Sequence, residues 1–341
     1  MKEITIIGGG LAGLALGIGL RNYNVPCVLY EKNKYPRHRV CGEFISGVSK
    51  DILKRLGLLE TLSDCCSVPR VKWFIKNRKI FEMDFDSKGM GISRHSLDRM
   101  LAELFVAKGG KIINKRYDSD QIKEGLVSAV GKSLNNGGKW IGLSMHLKGT
   151  NIMDLEMHNG IHGYVGLSPV EDEKINITGL FFKNPKVRGR GKNLLFEYLN
   201  SVGLTNLSHN LVNKEYVEGS FCAISGFKFG SFKKDNEFSV GDSSRLIPPF
   251  VGNGMSMAIE SADIAAEKLE RYSRGKLKWD QAINHATKEL NNIFSKRMIV
   301  ASALHPLLMS KFGLTAIDWT SRMNLLPVSS LYKWTLSLIH I

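Results

Sequence analysis

A β-branched apolar run, Ile4-Thr5-Ile6-Ile7, opens the chain, and small apolar residues fill 14–20 without a charge. The first run predicts a strand and the second a helix; 25–30 then predicts another strand, ending at Glu31. Further on, 71–75 and 80–85 predict a hairpin, and 140–146, 154–158, 163–167 and 174–182 predict strands with short turns, the rhythm of an antiparallel sheet. Residues 238–240 predict one more strand, and helical spacing covers 258–272 and 278–294. Apolar stretches follow at 301–309 and 325–341.

Chemistry enters between the first strand and the first helix. Gly8-Gly9-Gly10-Leu11-Ala12-Gly13 has G-x-G-x-x-G spacing, and Glu31 lies about 20 residues beyond it. Glycines permit a tight turn and close backbone approach, while the helix start offers free N–H groups to a pyrophosphate. A carboxylate at the end of the second strand accepts the ribose hydroxyls. Gly8, Gly10, Leu11, Ala12, Gly13 and Glu31 are therefore candidate dinucleotide contacts.

A second glycine element decides which dinucleotide is expected. In Gly241-Asp242-Ser243-Ser244-Arg245-Leu246-Ile247-Pro248-Pro249-Phe250-Val251-Gly252-Asn253-Gly254-Met255, the strand 238–240 delivers Asp242 to its C-terminal end, and Gly252 and Gly254 start the helix 255–262. NAD has no need of a second anchor so far downstream, whereas FAD is long enough to use one. The Asp242 carboxylate is placed to accept from ribityl hydroxyls, with the positive end of the following helix facing the flavin or the pyrophosphate.

The paired loops resemble those of flavoproteins of the para-hydroxybenzoate hydroxylase fold, a group that includes aromatic hydroxylases, geranylgeranyl reductases and flavin-dependent halogenases. The likeness runs from Met1 to about Arg271. Tyr35-Pro36-Arg37-His38-Arg39-Val40-Cys41-Gly42-Glu43 resembles the reductase segment P-R-x-K/R-x-C-G-E, and Arg94-His95-Ser96-Leu97-Asp98-Arg99-Met100-Leu101 resembles its R-x-x-L-D-x-x-L helix. The resemblance implies FAD as cofactor, NADPH or NADH as electron donor, and Arg39, Cys41, Gly42, Arg94, Ala129, Gly252 and Met255 as further cofactor contacts. Cys41 is equally readable as a small buried hydrophobe.

Three departures weaken the substrate assignment. Ala129-Val130-Gly131-Lys132-Ser133 stands where the family has D-G-x-x-S, Gly163-Tyr164-Val165-Gly166-Leu167-Ser168-Pro169 only partly matches the reductases' Y-x-W-x-F-P, and the halogenases' W-x-W-x-I-P is missing. Two outcomes for electrons from the flavin stay open, oxygen activation and reduction of an alkene. The cofactor carries the chemistry, so no catalytic residue is named; Glu43, His158, His162 and Tyr164 are the polar groups expected nearest the substrate.

Composition adds a charge bias. Lys+Arg number 47 against 32 Asp+Glu, a net +15, spread over 183–192, 228–234 and 288–297. Such an excess suits nucleic acid or an anionic membrane. The apolar C-terminal stretches, carrying Trp319 and Trp334 and interspersed with Lys311, Arg322 and Lys333, favour peripheral contact with an anionic membrane over nucleic acid. The same stretches are also readable as helices closing a substrate cavity; either way a hydrophobic substrate follows. The basic segment 187–192 lacks Walker spacing and is read as a helix start rather than a phosphate loop. The five cysteines show no metal-like spacing and suit a reduced interior, and neither a signal peptide nor a spanning run is apparent, so a cytoplasmic protein is expected, peripheral at most on the inner membrane face.

The predicted fold class is α/β, a Rossmann-like FAD-binding domain with an inserted antiparallel β-sheet substrate domain and C-terminal helices. The cofactor domain is expected from 1–70, 90–140 and 222–270, the substrate domain from 71–89 and 141–221, and a helical segment from 271–341. The competing readings are an NAD-only dehydrogenase, which leaves 241–255 without a role, and a basic nucleotide-binding module without redox activity, which leaves the sheet without one.

Overall fold

The computed structural model describes residues 1–118, 123–132, 138–231, 237–249 and 252–326. Ser133, Phe250, Val251, Lys233, Lys234, Lys333, Trp334 and nearly all of the apolar tail lie outside the described residues.

Element order begins β1 (Ile4–Ile7), α1 (Leu11–Asn22), β2 (Cys27–Tyr30), β3 (Phe44–Ile45), α2 (Lys50–Leu56), β4 (Cys66–Ile75), β5 (Arg78–Gly91), α3 (Arg94–Ala107), β6 (Lys111–Ile113) and β7 (Leu126–Ser128). It continues with β8 (Trp140–Lys148), β9 (Leu155–Gly160), β10 (Gly163–Val170), β11 (Lys174–Phe182), α4 (Lys192–Ser201), α5 (Thr205–Val212), β12 (Glu215–Tyr216), β13 (Cys222–Ser225) and β14 (Gly230–Ser231). The last are β15 (Phe238–Ser239), a 3-10 turn (Gly241–Ser243), β16 (Arg245–Leu246), α6 (Gly254–Ser273), α7 (Trp279–Met309) and α8 (Lys311–Arg322).

Two sheets dominate. The first is parallel, in the order β15-β7-β1-β2-β6. Both its ends of interest face one way: β1 delivers the glycine loop and β15 delivers Gly241-Asp242. Helix α1 can lie close to its neighbours because glycines interrupt its Leu and Ile residues; a Cβ on Gly17 would come within 2.7 Å of the Phe105 ring of α3.

The second sheet runs β12-β8-β11-β10-β9-β4-β5-β3, with β13 also on β8; β4 pairs parallel with β9 and the remaining pairs are antiparallel. The predicted hairpin is β4–β5; β4 starts before its apolar run and β5 extends beyond its run at both ends. Strand β13, which the sequence places at the return to the cofactor region, pairs instead with β8. So 222–225 belongs to the large sheet, since the Cys222–Ser225 backbone finds its hydrogen-bond partners at the edge β8 exposes.

Strand alternation gives this sheet two unlike faces. Leu143, Met145, Val165, Leu167, Ile177 and Phe181 point into a core closed by α4 and α5. On the opposite face stand Ser144 and His146 of β8, Asn176 and Thr178 of β11, and Ser168 of β10, giving way at one end to Trp140, Tyr164, Leu180 and Phe182. Polar residues buried on one half of a sheet face need partners; Ser144, His146, Asn176 and Thr178 find them in Arg39, Cys41 and Glu43, and Ser168 bonds the Pro169 carbonyl.

Residues 187–192 do lead into a helix, α4, with Gly191 as its N-cap. Helix α7 runs well past the expected end at 294, through Pro306 to Met309, and breaks into α8 at a bend of 98°. Among the described residues no single helix is long and apolar enough to cross a membrane.

Candidate functional site

Two helix starts and one extended segment frame the site. Helices α1 and α6 begin at Gly10 and Asn253 without a side-chain cap, as α4 and α5 do at Gly191 and Leu204, whereas α2, α3 and α8 are capped by Ser49, Ser93 and Ser310; α1 and α6 are set apart by following the two glycine loops. Uncapped helix starts carry orphan donors and a partial positive charge, the combination that holds an anion.

The first glycine loop is built around Glu31. Its Oε2 accepts from the Gly9 amide at 2.9 Å, and its Oε1 accepts from the Asn33 amide at 2.9 Å and the Arg37 guanidinium at 3.2 Å. Burial alone would raise this carboxyl, but the Asn33 amide, Arg37 and the Gly9 amide hold it below the usual range. The Asn33 side-chain amide also donates to Oε1, at 2.9 Å, so protein donors already fill the roughly four acceptor positions of this carboxylate; the acid expected to meet ribose braces the loop, and a ribose hydroxyl would have to take the place of one of these donors. Tyr35 adds a second brace, its hydroxyl donating to the Gly9 carbonyl at 2.6 Å. Gly13 packs on Gly8, and Gly8 on Ala129, whose amide donates to Ile7 at 2.7 Å.

Segment 39–46 crosses from the large sheet to α6. Ser144 donates to the Arg39 carbonyl at 3.2 Å and Asn176 to the Cys41 carbonyl at 2.8 Å, which satisfies the polar half of the sheet face. At the other end Ser256, in the first turn of α6, donates to the Ser46 carbonyl at 2.6 Å. Between these anchors Gly42 faces open space, as does Gly254: a Cβ on either would meet nothing within 4 Å.

Arginines line the gap. Arg94 makes a bidentate pair with Asp98 at 2.8 and 2.9 Å, and Arg39 reaches the same carboxylate at 2.8 Å. Asp98 is fully buried. The Arg94 Nη2 lies 3.8 Å from where a Gly10 Cβ would sit, so this guanidinium stands beside the α1 start. Both arginines are locked in orientation by one acid, an arrangement suited to a phosphate in fixed register.

The second loop meets the first directly. A Cβ on Gly241 would lie 2.7 Å from the Ala12 Cβ, and the Gly131 amide donates to Ser243 Oγ at 2.8 Å. Gly241, Asp242, Gly254 and Ala258 share the wall of one small pocket. Leu11 and Met255 are buried behind the two helix starts, and Gly252 backs onto the Phe44 ring. Burial raises the Asp242 carboxyl above its usual value, opposed by Lys132 and Arg94. An acid held at such a cost to its ionised form is matched to donors brought by a ligand.

Of the polar groups expected near the substrate, Glu43 is buried within the crossing segment, with its Oε1 accepting from the Arg94 amide at 2.8 Å. His158 instead stacks on Phe74, with ring centroids 4.5 Å apart, and bonds Glu156 at 3.0 Å, while His162 stands edge-on to Phe182. Tyr164 lies in the aromatic end of the sheet face with Trp140, Phe182, Phe229 and His305 of α7. Burial lowers the His305 imidazole to about 4, so it is neutral at neutral pH. Sequence reasoning missed His305, Asp98, Tyr35 and Gly9. A lone histidine in the apolar stretch 301–309 was the only signal for the first, and nothing in the local pattern marks Asp98 as shared by two arginines.

The residues fit FAD at both ends: a braced glycine loop with two oriented arginines for the adenosine pyrophosphate half, and Asp242 with the α6 start for the flavin half. No family model matches the chain. A receptor of Dictyostelium discoideum, conditioned medium factor receptor 1, is 32% identical over 62 residues, which span 18% of this chain and 12% of that protein. Solved structures match over nearly the whole length. The flavin-dependent brominase Bmp2 superposes with a TM-score of 0.76 at 17% identity, covering 98% of this chain and 93% of that one. The flavin-dependent halogenase CmlS gives 0.75 at 14%, covering 96% and 71%. PqsL, a probable FAD-dependent monooxygenase from Pseudomonas aeruginosa, gives 0.72 at 13%, covering 93% and 99%. The chain has the fold of these flavin-dependent halogenases and monooxygenases.

Proposed function

We propose that this protein is an FAD-dependent oxidoreductase that uses oxygen to oxidise a hydrophobic, aromatic or isoprenoid substrate. The observation that carries the reading is the meeting of the two glycine loops, with Asp242, Arg94 and both uncapped helix starts around one gap. Bound there, FAD supplies reversible hydride acceptance and oxygen activation. The chain's own residues do the rest: Arg39 and Arg94 hold the phosphates, Glu31 and Asp242 take the sugar and ribityl hydroxyls, and segment 39–46 sets the distance from the flavin to the large sheet. The Trp140, Tyr164, Phe182 and Phe229 patch, with the His305 ring that burial keeps neutral, offers a water-poor wall for an apolar substrate.

Oxygenation is favoured over alkene reduction because the similar folds include a brominase, a halogenase and a monooxygenase, and because the reductases' aromatic motif is incomplete at 163–169. NADPH or NADH is the donor in this reading. The test is NAD(P)H oxidation over a panel of phenolic and isoprenoid substrates, with and without oxygen, followed by product mass. An oxygen-dependent gain of one oxygen atom is expected; a gain of two hydrogens without oxygen would replace the reading with reduction.

A specific surface favours peripheral membrane contact as well. One face of α8 exposes Phe312 (84%), Ala316, Trp319 (59%) and Met323, while the other is held to β5 by the Arg78–Asp318 pair and by Ser321 on the Ile80 carbonyl. Lys311 and Arg322 flank the apolar face of this net-basic protein. Flotation with anionic vesicles should therefore be strong at low salt and weaken as salt rises. Phe312→Ser with Trp319→Ser should abolish it without lowering flavin content, and equal flotation of the double variant would exclude this face.

A further inference from the structure

We propose that His38, Glu43 and His146 form a binding site for a divalent transition-metal ion of the zinc class. It is the group of such side chains that clusters among the described residues, with the three ligand atoms within 4.8 Å of one another. His146 Nε2 lies 2.6 Å from Glu43 Oε2, both side chains are buried, and the His38 ring packs edge-on to His146 with centroids 4.9 Å apart.

Each member is positioned from its backbone. Glu43 has φ of 53°, the left-handed region that non-glycine residues rarely adopt. That conformation puts its Oε1 on the Arg94 amide and leaves Oε2 for the imidazoles. His146 is fixed in β8, its amide donating to Ser220 Oγ at 3.0 Å. His38 stacks on His95 at 4.6 Å and is half-buried, which leaves the cluster a route from solvent.

Two imidazole nitrogens and one carboxylate oxygen make a donor set suited to zinc and its neighbours. Ligand bonds of about 2.0–2.1 Å place tetrahedral donors roughly 3.4 Å apart. Glu43 and His146 must therefore part by roughly 0.8 Å, and the more exposed His38 must close in by up to roughly 1.4 Å. Three protein ligands leave a fourth position for water. The Arg94 amide on the second Glu43 oxygen is the kind of outer contact that orients a ligating carboxylate. The ion would clamp 38–43 to β8 and so fix Cys41 and Gly42 at the open gap.

The test is equilibrium dialysis of the full chain, purified with its flavin, against zinc alone after treatment with a chelator, with metal per chain read by atomic emission. One ion per chain is expected. His38→Asn, at the half-buried position, should keep its fold by circular dichroism and lose at least about tenfold in zinc affinity, since even outer-shell changes cost ten- to a hundredfold. Glu43→Gln and His146→Asn should lose more. Zinc should raise the unfolding temperature of the original chain and not of His38→Asn. No stoichiometric zinc, or equal affinity in the folded His38→Asn variant, would overturn the site and leave a hydrogen-bonded Glu43–His146 pair. Flavin absorbance in the same samples keeps the result separate from the cofactor reading, on which this one does not depend.

Discussion

Asp242→Ala should weaken FAD binding by about ten- to a hundredfold while leaving the flavin-free protein as stable as before, or more so. A hydrogen bond to a charged acceptor contributes about 1.5–3 kcal/mol, and tenfold in affinity corresponds to about 1.4 kcal/mol. The two effects separate because of the environment of the carboxyl. Burial disfavours its ionised form, with Lys132 and Arg94 only opposing that trend. Removing it therefore takes away a group that the folded chain accommodates poorly and the ligand needs. Quenching of flavin fluorescence gives the affinity, and urea unfolding of the apoprotein gives the stability. A loss of stability equal to the loss of affinity would make Asp242 a structural residue.

Two glycines separate space needed by the fold from space needed by the ligand. Gly42→Leu should fold normally and lose bound FAD by a hundredfold or more, because a Cβ at 42 meets nothing in the protein and enters the gap between segment 39–46 and the helix starts. Gly8→Ala should instead damage the protein itself. Gly8 has φ of 104°, and a Cβ there would lie 2.4 Å from the Ala129 carbonyl oxygen, so the residue is strained and its neighbour is backbone that cannot turn aside. A cost of about 3 kcal/mol or more is expected in denaturant unfolding, combining the unfavourable backbone region with overpacking. Tight FAD binding by Gly42→Leu would mean that this gap is not the flavin's place.

Legibility followed the range of the interactions. The glycine loop, Glu31 and the Gly241-Asp242 turn are readable because strand, turn and helix signals are local, and the large sheet follows from short strands with short turns; β6 and β7 of the parallel sheet are too short to stand out in the sequence. Local pattern did not reveal that Asp98 serves both Arg39 and Arg94, or that Glu43 meets His146 across 103 residues of chain, because these pairings exist only once segment 39–46 lies on the large sheet. Helix α7 extends past the end at 294 that the sequence predicts, because the apolar stretch with Pro306 reads as a separate element; the structure tolerates the proline near the helix end, three residues before the bend into α8. His158, expected near the substrate, is held by Phe74 and Glu156 instead. The likeness to geranylgeranyl reductases rests on 35–43 and 94–101, and those residues lie beside the α1 start and along segment 39–46, away from the aromatic end of the large sheet.

The most direct test of the account is titration of the flavin-stripped chain with FAD, FMN and NAD, followed by absorbance and fluorescence. One FAD per chain is predicted, bound at least a hundredfold more tightly than FMN or NAD, since only FAD spans from Glu31 and Arg94 to Asp242. Equal or tighter binding of NAD, or no stoichiometric binding of FAD, would contradict it.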